Sequence, residues 1–401
     1  MTSATAKLSE IAEINPRLTE TVDPGAVVSF LGMADVDARA GTTTSGVDRQ
    51  FSQVAKGYTQ FLSGDLLVAK ITPCFENGKI AQAELRRARG SGSTEFHVIR
   101  PDRSHVDQRY LLHYLRQPKI RVMGERRMTG SAGQRRVPEN FFADLEIPLP
   151  PLENQSQIAK ALDRADSLRG KRRAAIALLD ELAQSVFLDM FGAPASDWPV
   201  FSVDEIAAPE KGAIRTGPFG SQLLHEEFVD SGVSVLGIDN AVANEFRWGK
   251  SRFITPEKYK QLSRYTVKPG DVLITIMGTC GRCAIVPDDI PTAINTKHLC
   301  CITLDRERCL PEFLHSYFLL HPRAQSYLHK AAKGAIMSGL NMSIIKALPL
   351  HLPPIELQQD YADSLRGIQR LKASHASHLR KLDDLFGSLQ QRAFRGELWD
   401  A

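Results

Sequence analysis

Apolar residues recur at spacings of three and four along two long stretches of the chain. The first carries Ile158, Leu162, Ala165, Leu168, Ile176, Leu179, Leu182, Val186 and Met190, interrupted by Arg172; the second carries Leu357, Tyr361, Leu365, Ile368, Leu371, His375, Leu379, Leu382, Leu385 and Leu389. This is the helical period, and each stretch predicts a helix of about 38 residues, roughly 57 Å long at 1.5 Å per residue. A near-seven-residue seam on both predicts an antiparallel coiled coil through Ile158, Leu162, Leu168, Ile176, Leu179 and Leu182 on one helix and Leu357, Leu365, Ile368, Leu371, Leu382 and Leu385 on the other. The same pattern also fits two amphipathic helices that each lie on their own domain. Before each helix the period shortens. Alternating or β-branched runs at 65–71, 97–99, 271–276 and 299–303, bounded by Gly, Pro and Asn, predict strands. Helices are expected at 110–124 and 311–332, Gly-rich loops at 129–134 and 333–339, and strand-to-helix switches at Pro150-Pro151 and Pro353-Pro354, because proline is tolerated where a helix starts but not inside one.

The two series are copies. At an offset of 203, Gly78-Lys79-Ile80-Ala81 falls on Gly281-Arg282-Cys283-Ala284, Leu149-Pro150-Pro151-Leu152-Glu153 on Leu352-Pro353-Pro354-Ile355-Glu356, and Phe191 on Phe394. Gly64-Asp65-Leu66-Leu67 matches Gly270-Asp271-Val272-Leu273 at 206, so the intervening segment differs by three residues. A repeat of this length describes one structural unit used twice. The expected fold class is α+β: β-rich mixed domains at 1–150 and 193–353, with long helices at 151–192 and 354–401.

Composition narrows the function. At 401 residues the chain is too long for one ordinary core. With 43% hydrophobic and 24% charged residues it reads as globular, and no apolar run reaches the roughly 18 residues of a membrane span. The N-terminal residues lack the apolar core of a signal peptide, so a cytoplasmic location and six free thiols are expected. The net charge of +4 is mild, but its distribution is uneven. Arg116, Lys119, Arg121, Arg126, Arg127, Arg135 and Arg136 face a single acid, Glu125, so that 116–136 carries 7 − 1 = +6. Such a stretch is either a footprint for an anionic polymer or a solvated basic face.

Two related modules at the ends of paired helices would act as a ruler, and a ruler suits a polymer whose grooves repeat, such as DNA. The reading elements are expected on loops. In the first module these are Lys70, Thr72, Asn77 and Lys79, then Arg126, Arg127, Ser131, Gln134, Arg135 and Arg136; in the second they are Arg215, Thr216, Ser221, Thr279, Arg282, Asn295, Lys297, Lys333, Ser338 and Asn341. Arg, Lys, Asn and Gln supply the forked or cationic donors that pair with base edges and phosphates. Each residue taken singly is equally compatible with a turn or a solvated charge.

The elements Ile147-Pro148-Leu149-Pro150-Pro151-Leu152-Glu153 and Leu352-Pro353-Pro354-Ile355-Glu356, the helix ends Phe187-Leu188-Asp189-Met190-Phe191-Gly192 and Ala393-Phe394-Arg395-Gly396-Glu397-Leu398, and Ser93-Thr94-Glu95-Phe96 resemble the DNA specificity subunit of type I restriction-modification systems. The resemblance implies two target recognition domains, each reading half of a split double-stranded DNA site, joined by conserved helices packed as a coiled coil. It also implies two copies of an adenine-N6 methylation subunit and a restriction subunit as partners. The subunit would itself be non-catalytic, with S-adenosylmethionine, ATP and Mg²⁺ belonging to the partners. One departure is that the second Gly-rich loop is apolar, Ala335-Ile336-Met337, without the Gln-Arg ending of the first.

Enzyme readings lack their residues. The Pro-Pro pairs are followed by Leu152 and Ile355 rather than the aromatic residue of an adenine methyltransferase, no Asp or Glu stands two residues before a Lys as a metal nuclease requires, and no Gly-x4-Gly-Lys is present. Cys280 and Cys283 with Cys300 and Cys301 superficially resemble a zinc site. Adjacent cysteines rarely ligate one ion, so buried thiols and no metal are expected. The rival class is a coiled-coil scaffold or adaptor for proteins, which predicts no steep loss of DNA affinity with salt.

Overall fold

A computed structural model describes residues 4–131, 133–333 and 340–398. The chain divides into two compact units, Met1–Ala175 with His375–Ala401, and Ile176–Ser374. Each long helix is therefore shared out: the start of one and the end of the other belong to the same unit.

In the first unit a six-stranded sheet runs Ala12–Ile14, Phe96–Pro101, Leu66–Ala69, Ile80–Gln82, Thr42–Thr43, Val36–Asp37, and a four-stranded sheet runs Val47–Gln50, Val27–Leu31, Arg89–Gly92, Thr59–Leu62. The second unit repeats the plan with Ile214–Thr216, Leu299–Ile302, Val272–Thr275, Cys283–Ile285 in one sheet and Phe253–Ile254, Val233–Leu236, Ala293–Asn295 in another. The central strands read as unbroken apolar runs because both their faces are covered. Leu66 and Val68 enter one core cluster and Leu67 another; Val272 and Ile274 likewise part from Leu273.

The single helices expected at 110–124 and 311–332 are each two: Gln108–Leu115 and Pro118–Arg127, then Pro311–Leu320 and Pro322–Lys333. Pro118 and Pro322 explain the break. Each stands at the first position of the second helix, where its missing N–H costs nothing, and neither could continue the preceding one.

The long helices span Leu152–Phe191 and Ile355–Ala393. Each is anchored in its first turn by a fully buried glutamine. Gln155 accepts from the Asp107 N–H at 2.8 Å and donates to the carbonyls of Pro150 at 2.8 Å and His105 at 3.2 Å. Gln358, at an offset of 203, does the same with Leu310, Pro353 and Arg308 at 2.8, 2.9 and 3.0 Å. The amide thus replaces a turn of chain with side-chain bonds and fixes the angle at which the helix leaves the sheet.

In the first unit Ile158, Ala159 and Leu162 share a core with Phe394 and with Tyr110, Leu111 and Tyr114. In the second, Tyr361 from the start of one helix and Phe187 and Phe191 from the end of the other pack with Phe313 and Tyr317. The helix segments run antiparallel in both. Arg169 meets Asp383 at 2.6 Å and Arg172 donates to His375 Nδ1 at 2.8 Å in the first unit, while Lys372 meets Asp180 at 2.6 Å and the Tyr361 ring meets Phe187 edge to face at 5.5 Å in the second.

The seam departs from the sequence expectation along its middle. Ile158, Leu162 and Ile368 are buried, and Ile176, Leu179, Leu357, Leu365 and Leu382 are half-buried. Leu168, Leu182, Leu371 and Leu385, however, are 44 to 54% exposed. Charged and polar side chains occupy the contact there instead: Arg169 and Arg173 bond Asp383, Arg172 bonds His375, and Lys372 bonds Asp180. Periodicity alone cannot distinguish an apolar seam from a stripe displaced toward solvent by such pairs.

A second contact ties the first helix to its domain. Asp163 accepts from His113 Nε2 at 2.8 Å and from the Arg109 guanidinium at 2.5 Å. Burial pushes the Asp163 carboxyl up, but the hydrogen bonds from His113 and Arg109 outweigh it and hold the group at about 2, against an ordinary 3.8. A depressed folded-state value means stability that is present above pH 4 and lost as pH falls from 4 toward 2. Asp163→Asn is therefore expected to flatten that acid limb and to cost about 1–2 kcal/mol at neutral pH, allowing for partial solvent screening; urea melts across pH 2 to 7 measure both. The corresponding positions 203 residues on carry exchanged charges, Glu312 and Arg366, 3.8 Å apart.

Candidate nucleic-acid interface

In the first unit the backbone brings the two expected loops together. The Thr72 N–H donates to Arg135 O at 3.0 Å and the Val137 N–H to Lys70 O at 2.9 Å, while Thr129 and Arg136 exchange hydrogen bonds at 3.0 and 2.8 Å that close the Gly-rich hairpin. Lys70, Thr72, Arg135 and Arg136 thus share one patch. Acids of the same patch engage several of its donors. Arg136 pairs with Glu95 at 2.8 Å, and this hydrogen bond holds the Glu95 carboxyl below its ordinary value against the opposing effect of burial. Glu76 accepts from the Thr72 hydroxyl at 2.7 Å and lies 3.7 Å from Arg135.

Lys79 points elsewhere, its ammonium donating to the Met33 and Val36 carbonyls at 2.5 and 3.4 Å. Asn77, Arg126, Arg127, Ser131 and Gln134 are exposed. Arg126 and Arg127 close the Pro118–Arg127 helix, where cations complement the dipole, and among the described residues neither has an ion-pair partner.

In the second unit four loops, 217–222, 237–252, 276–282 and 296–298, are tied to one another. The Gly217 N–H donates to Thr296 O at 3.3 Å, the Thr296 N–H to Leu236 O at 2.9 Å, the Ile276 N–H to His298 O at 2.9 Å, and the Cys283 N–H to Asn244 Oδ1 at 3.2 Å. Only glycine fits at 217, because a Cβ there would lie 1.9 Å from Asn295 O. Ser221, Thr279 and Arg282 are exposed on these loops, with Thr216 and Lys297 half-buried beside them.

Arg215 and Asn295 belong to the frame beneath. Arg215 bonds Asp271 at 2.7 Å and the Thr303 hydroxyl at 2.9 Å, and Asn295, fully buried, donates to Leu299 O at 3.0 Å. Asn341 caps the Met342–Lys346 helix by accepting from the Ile344 N–H at 2.9 Å. Ser338 and the Lys333 side chain lie outside the described residues.

Two sets of residues escaped the sequence reading. Gln155 and Gln358 repeat at the offset of 203 and could have been found by it. The run Arg247-Trp248-Gly249-Lys250-Ser251-Arg252 mixes an aromatic residue with cations, a nucleic-acid signal visible in the sequence.

The cysteines sit in the strands. Cys283 and Cys300 enter one core cluster of the second unit, whereas Cys301, one residue on and facing the other way, enters the opposite cluster. Strand alternation therefore sends the adjacent pair to different faces. Burial pushes the Cys300 thiol up to about 12 and Cys283 higher still, which keeps both protonated. Among the described residues no group of three or more His, Cys, Asp or Glu is placed to hold a metal ion, and no helix is long and apolar enough to cross a membrane.

The Type I restriction modification DNA specificity domain family matches residues 3–177 and 196–381. Over 152 residues, 38% of the chain, the sequence is 43% identical to the Escherichia coli type I restriction enzyme EcoEI specificity subunit and 42% identical to its EcoAI counterpart from the same organism. The chain spans about a quarter of the length of these two curated relatives, 25 and 26%. A solved chain of the type I R-M system, described with its complex assembly and conformational transition, superposes with a TM-score of 0.59 at 19% identity over 98% of both chains. At that identity the likeness speaks for the fold alone.

Proposed function

The chain belongs to the type I restriction modification DNA specificity family, and from that membership we propose that it reads a bipartite, asymmetric double-stranded DNA target, one half-site per unit. The observation that carries the reading is the contrast between what repeats and what does not. The glutamine anchors, the proline junctions and the aromatic seats recur in both units, while the loops of the candidate interface differ in sequence, length and partners. A shared frame with divergent loops suits two readers of different short sequences.

On this reading the subunit does no chemistry. Adenine-N6 methylation belongs to two copies of a methylation subunit and cleavage to a restriction subunit, which would bring S-adenosylmethionine, ATP and Mg²⁺. Leu168 with Leu371 and Leu182 with Leu385, exposed at repeated positions of the two helices, offer apolar surface on which such partners would dock.

Mapping N6-methyladenine in the host genome with and without the gene tests the proposal. A split asymmetric motif that disappears on deletion is expected, and an unchanged methylome would sink it. Replacing Gln134, Arg135 and Arg136 together by Ala is expected to alter one half of the motif only. The Arg126→Ala/Arg127→Ala double variant should flatten the log–log salt dependence of binding to random-sequence duplex by roughly two. A protein scaffold would show no such salt slope in the first place.

A further inference from the structure

The second unit displays an aromatic side chain that none of the contacts above employs. Trp248 is 59% exposed, although an indole is among the largest apolar groups a chain can leave in water. Its position is built. Phe246 packs against the core cluster that contains Leu236 and Leu273, and its ring meets the indole edge-on at 5.4 Å. The loop behind is closed by reciprocal bonds. The Asn240 side chain donates to Arg247 O at 2.9 Å, the Arg247 N–H donates to Asn240 O at 3.1 Å, and Asp239 accepts from the Lys250 N–H at 2.6 Å and pairs with Arg252. Gly249 is required by this closure, since a Cβ there would lie 2.0 Å from the Asp239 carboxylate. The loop therefore holds the Trp248 backbone in place and lowers the ordering cost on binding.

Its surroundings are cationic. Residues 239–252 carry Arg247, Lys250 and Arg252 against Asp239 and Glu245, 3 − 2 = +1; Arg252 pairs with Asp239 and Arg247 with the exposed Glu245, which leaves the Lys250 ammonium without an ion-pair partner among the described residues. The same loop is bonded through Asn244 to the loop bearing Thr279 and Arg282, and Arg252 acts electrostatically on His298, beside Lys297. Trp248 thus stands among the candidate loops, not apart from them. An exposed aromatic ring flanked by cations fits a polyanion that offers flat π-faces, which describes nucleic acid better than a protein surface.

We propose that the 244–252 loop is a DNA-reading element of the second unit, with Trp248 pressed against base faces at an opened step of the duplex and Arg247 and Lys250 on the flanking phosphates. The proposal rests on the DNA reading above. Aromatic wedges open base steps, and stacking of this kind contributes about 1–3 kcal/mol. Host cells carrying wild-type, Trp248→Ala and Trp248→Phe alleles are compared by N6-methyladenine mapping, with thermal melts of the purified full-length variants. Trp248→Ala is expected to melt like wild type, to leave one half of the motif unchanged, and to relax the other half with a fall in the methylated fraction of roughly 10-fold or more; Trp248→Phe is expected to retain most of both. The same motif and fraction with Trp248→Ala, or equal relaxation of both halves, overturns the proposal. Absence of any gene-dependent motif in wild-type cells defeats instead the DNA reading on which it stands.

Discussion

Asp271→Asn is expected to destabilise the second unit by about 3–5 kcal/mol, the range for removing one partner of a buried ion pair. Asp271 is 1% exposed and its carboxylate is saturated: it accepts from Arg215 at 2.7 Å, from the Thr303 hydroxyl at 2.7 Å, from the Lys268 N–H at 2.9 Å and from the Cys301 thiol at 3.1 Å. The amide keeps the shape but removes the charge that balances Arg215, and one of its two ends must then donate toward groups that are themselves donors. The guanidinium cannot discharge by losing its proton, so it remains buried without a counter-ion. Chemical denaturation followed by near-UV circular dichroism measures the cost. A change under 1 kcal/mol would show that Arg215 finds water in the folded state. Asp65→Asn in the first unit provides the comparison, because Arg100, which pairs with Asp65 at 2.7 Å, has a quarter of its side chain exposed and can turn to solvent.

Phe191→Ala should cost a similar amount, about 3–5 kcal/mol, as deletion of a buried aromatic ring does when its cavity cannot collapse. Phe191 is 1% exposed and meets Phe313 at 5.0 Å, Phe187 at 5.3 Å and Tyr361 at 5.4 Å. Phe187 is one turn back on the same helix, whereas Phe313 and Tyr361 come from two helices more than a hundred residues on, so the void has rigid walls and the loss is also one of attachment. The end of the first long helix would detach from the second unit before the β-sheets melt. Hydrogen exchange separates the two events: amides at 184–191 are expected to lose protection in Phe191→Ala while those of Val272–Thr275 retain it. Simultaneous loss in both segments would mean that helix end and sheets open as one.

The repeat was the most legible feature of the sequence because it does not depend on propensity. An offset of 203 placed the proline junctions, the long helices and the aromatic helix ends before any element had been assigned. The interruption of the shorter helices was missed although Pro118 and Pro322 stand in the sequence, because the apolar period runs across them and conceals the turn. The middle of the seam was only partly legible: the period placed His375 on it and Arg172 as its interruption, but Arg169 and Asp383 read as surface residues until their partners, some two hundred positions away, are known. Among the candidate contacts the sequence supplied residue types and the fold sorted them. Arg215 and Asn295 have donor groups suited to base edges, yet burial directs those groups to Asp271 and to Leu299. No local pattern distinguishes a cation held by a buried acid from one left for a phosphate.

Arg172 and His375 are 203 positions apart and touch. They occupy the same place in the two repeats, so a position there touches its own counterpart, but with an unlike side chain. Were either repeat to pair with a second copy of itself, the contact would set two guanidiniums or two imidazoles face to face. The guanidinium pair would repel at every pH at which proteins fold, so this one position disfavours pairing of the first repeat with its own copy.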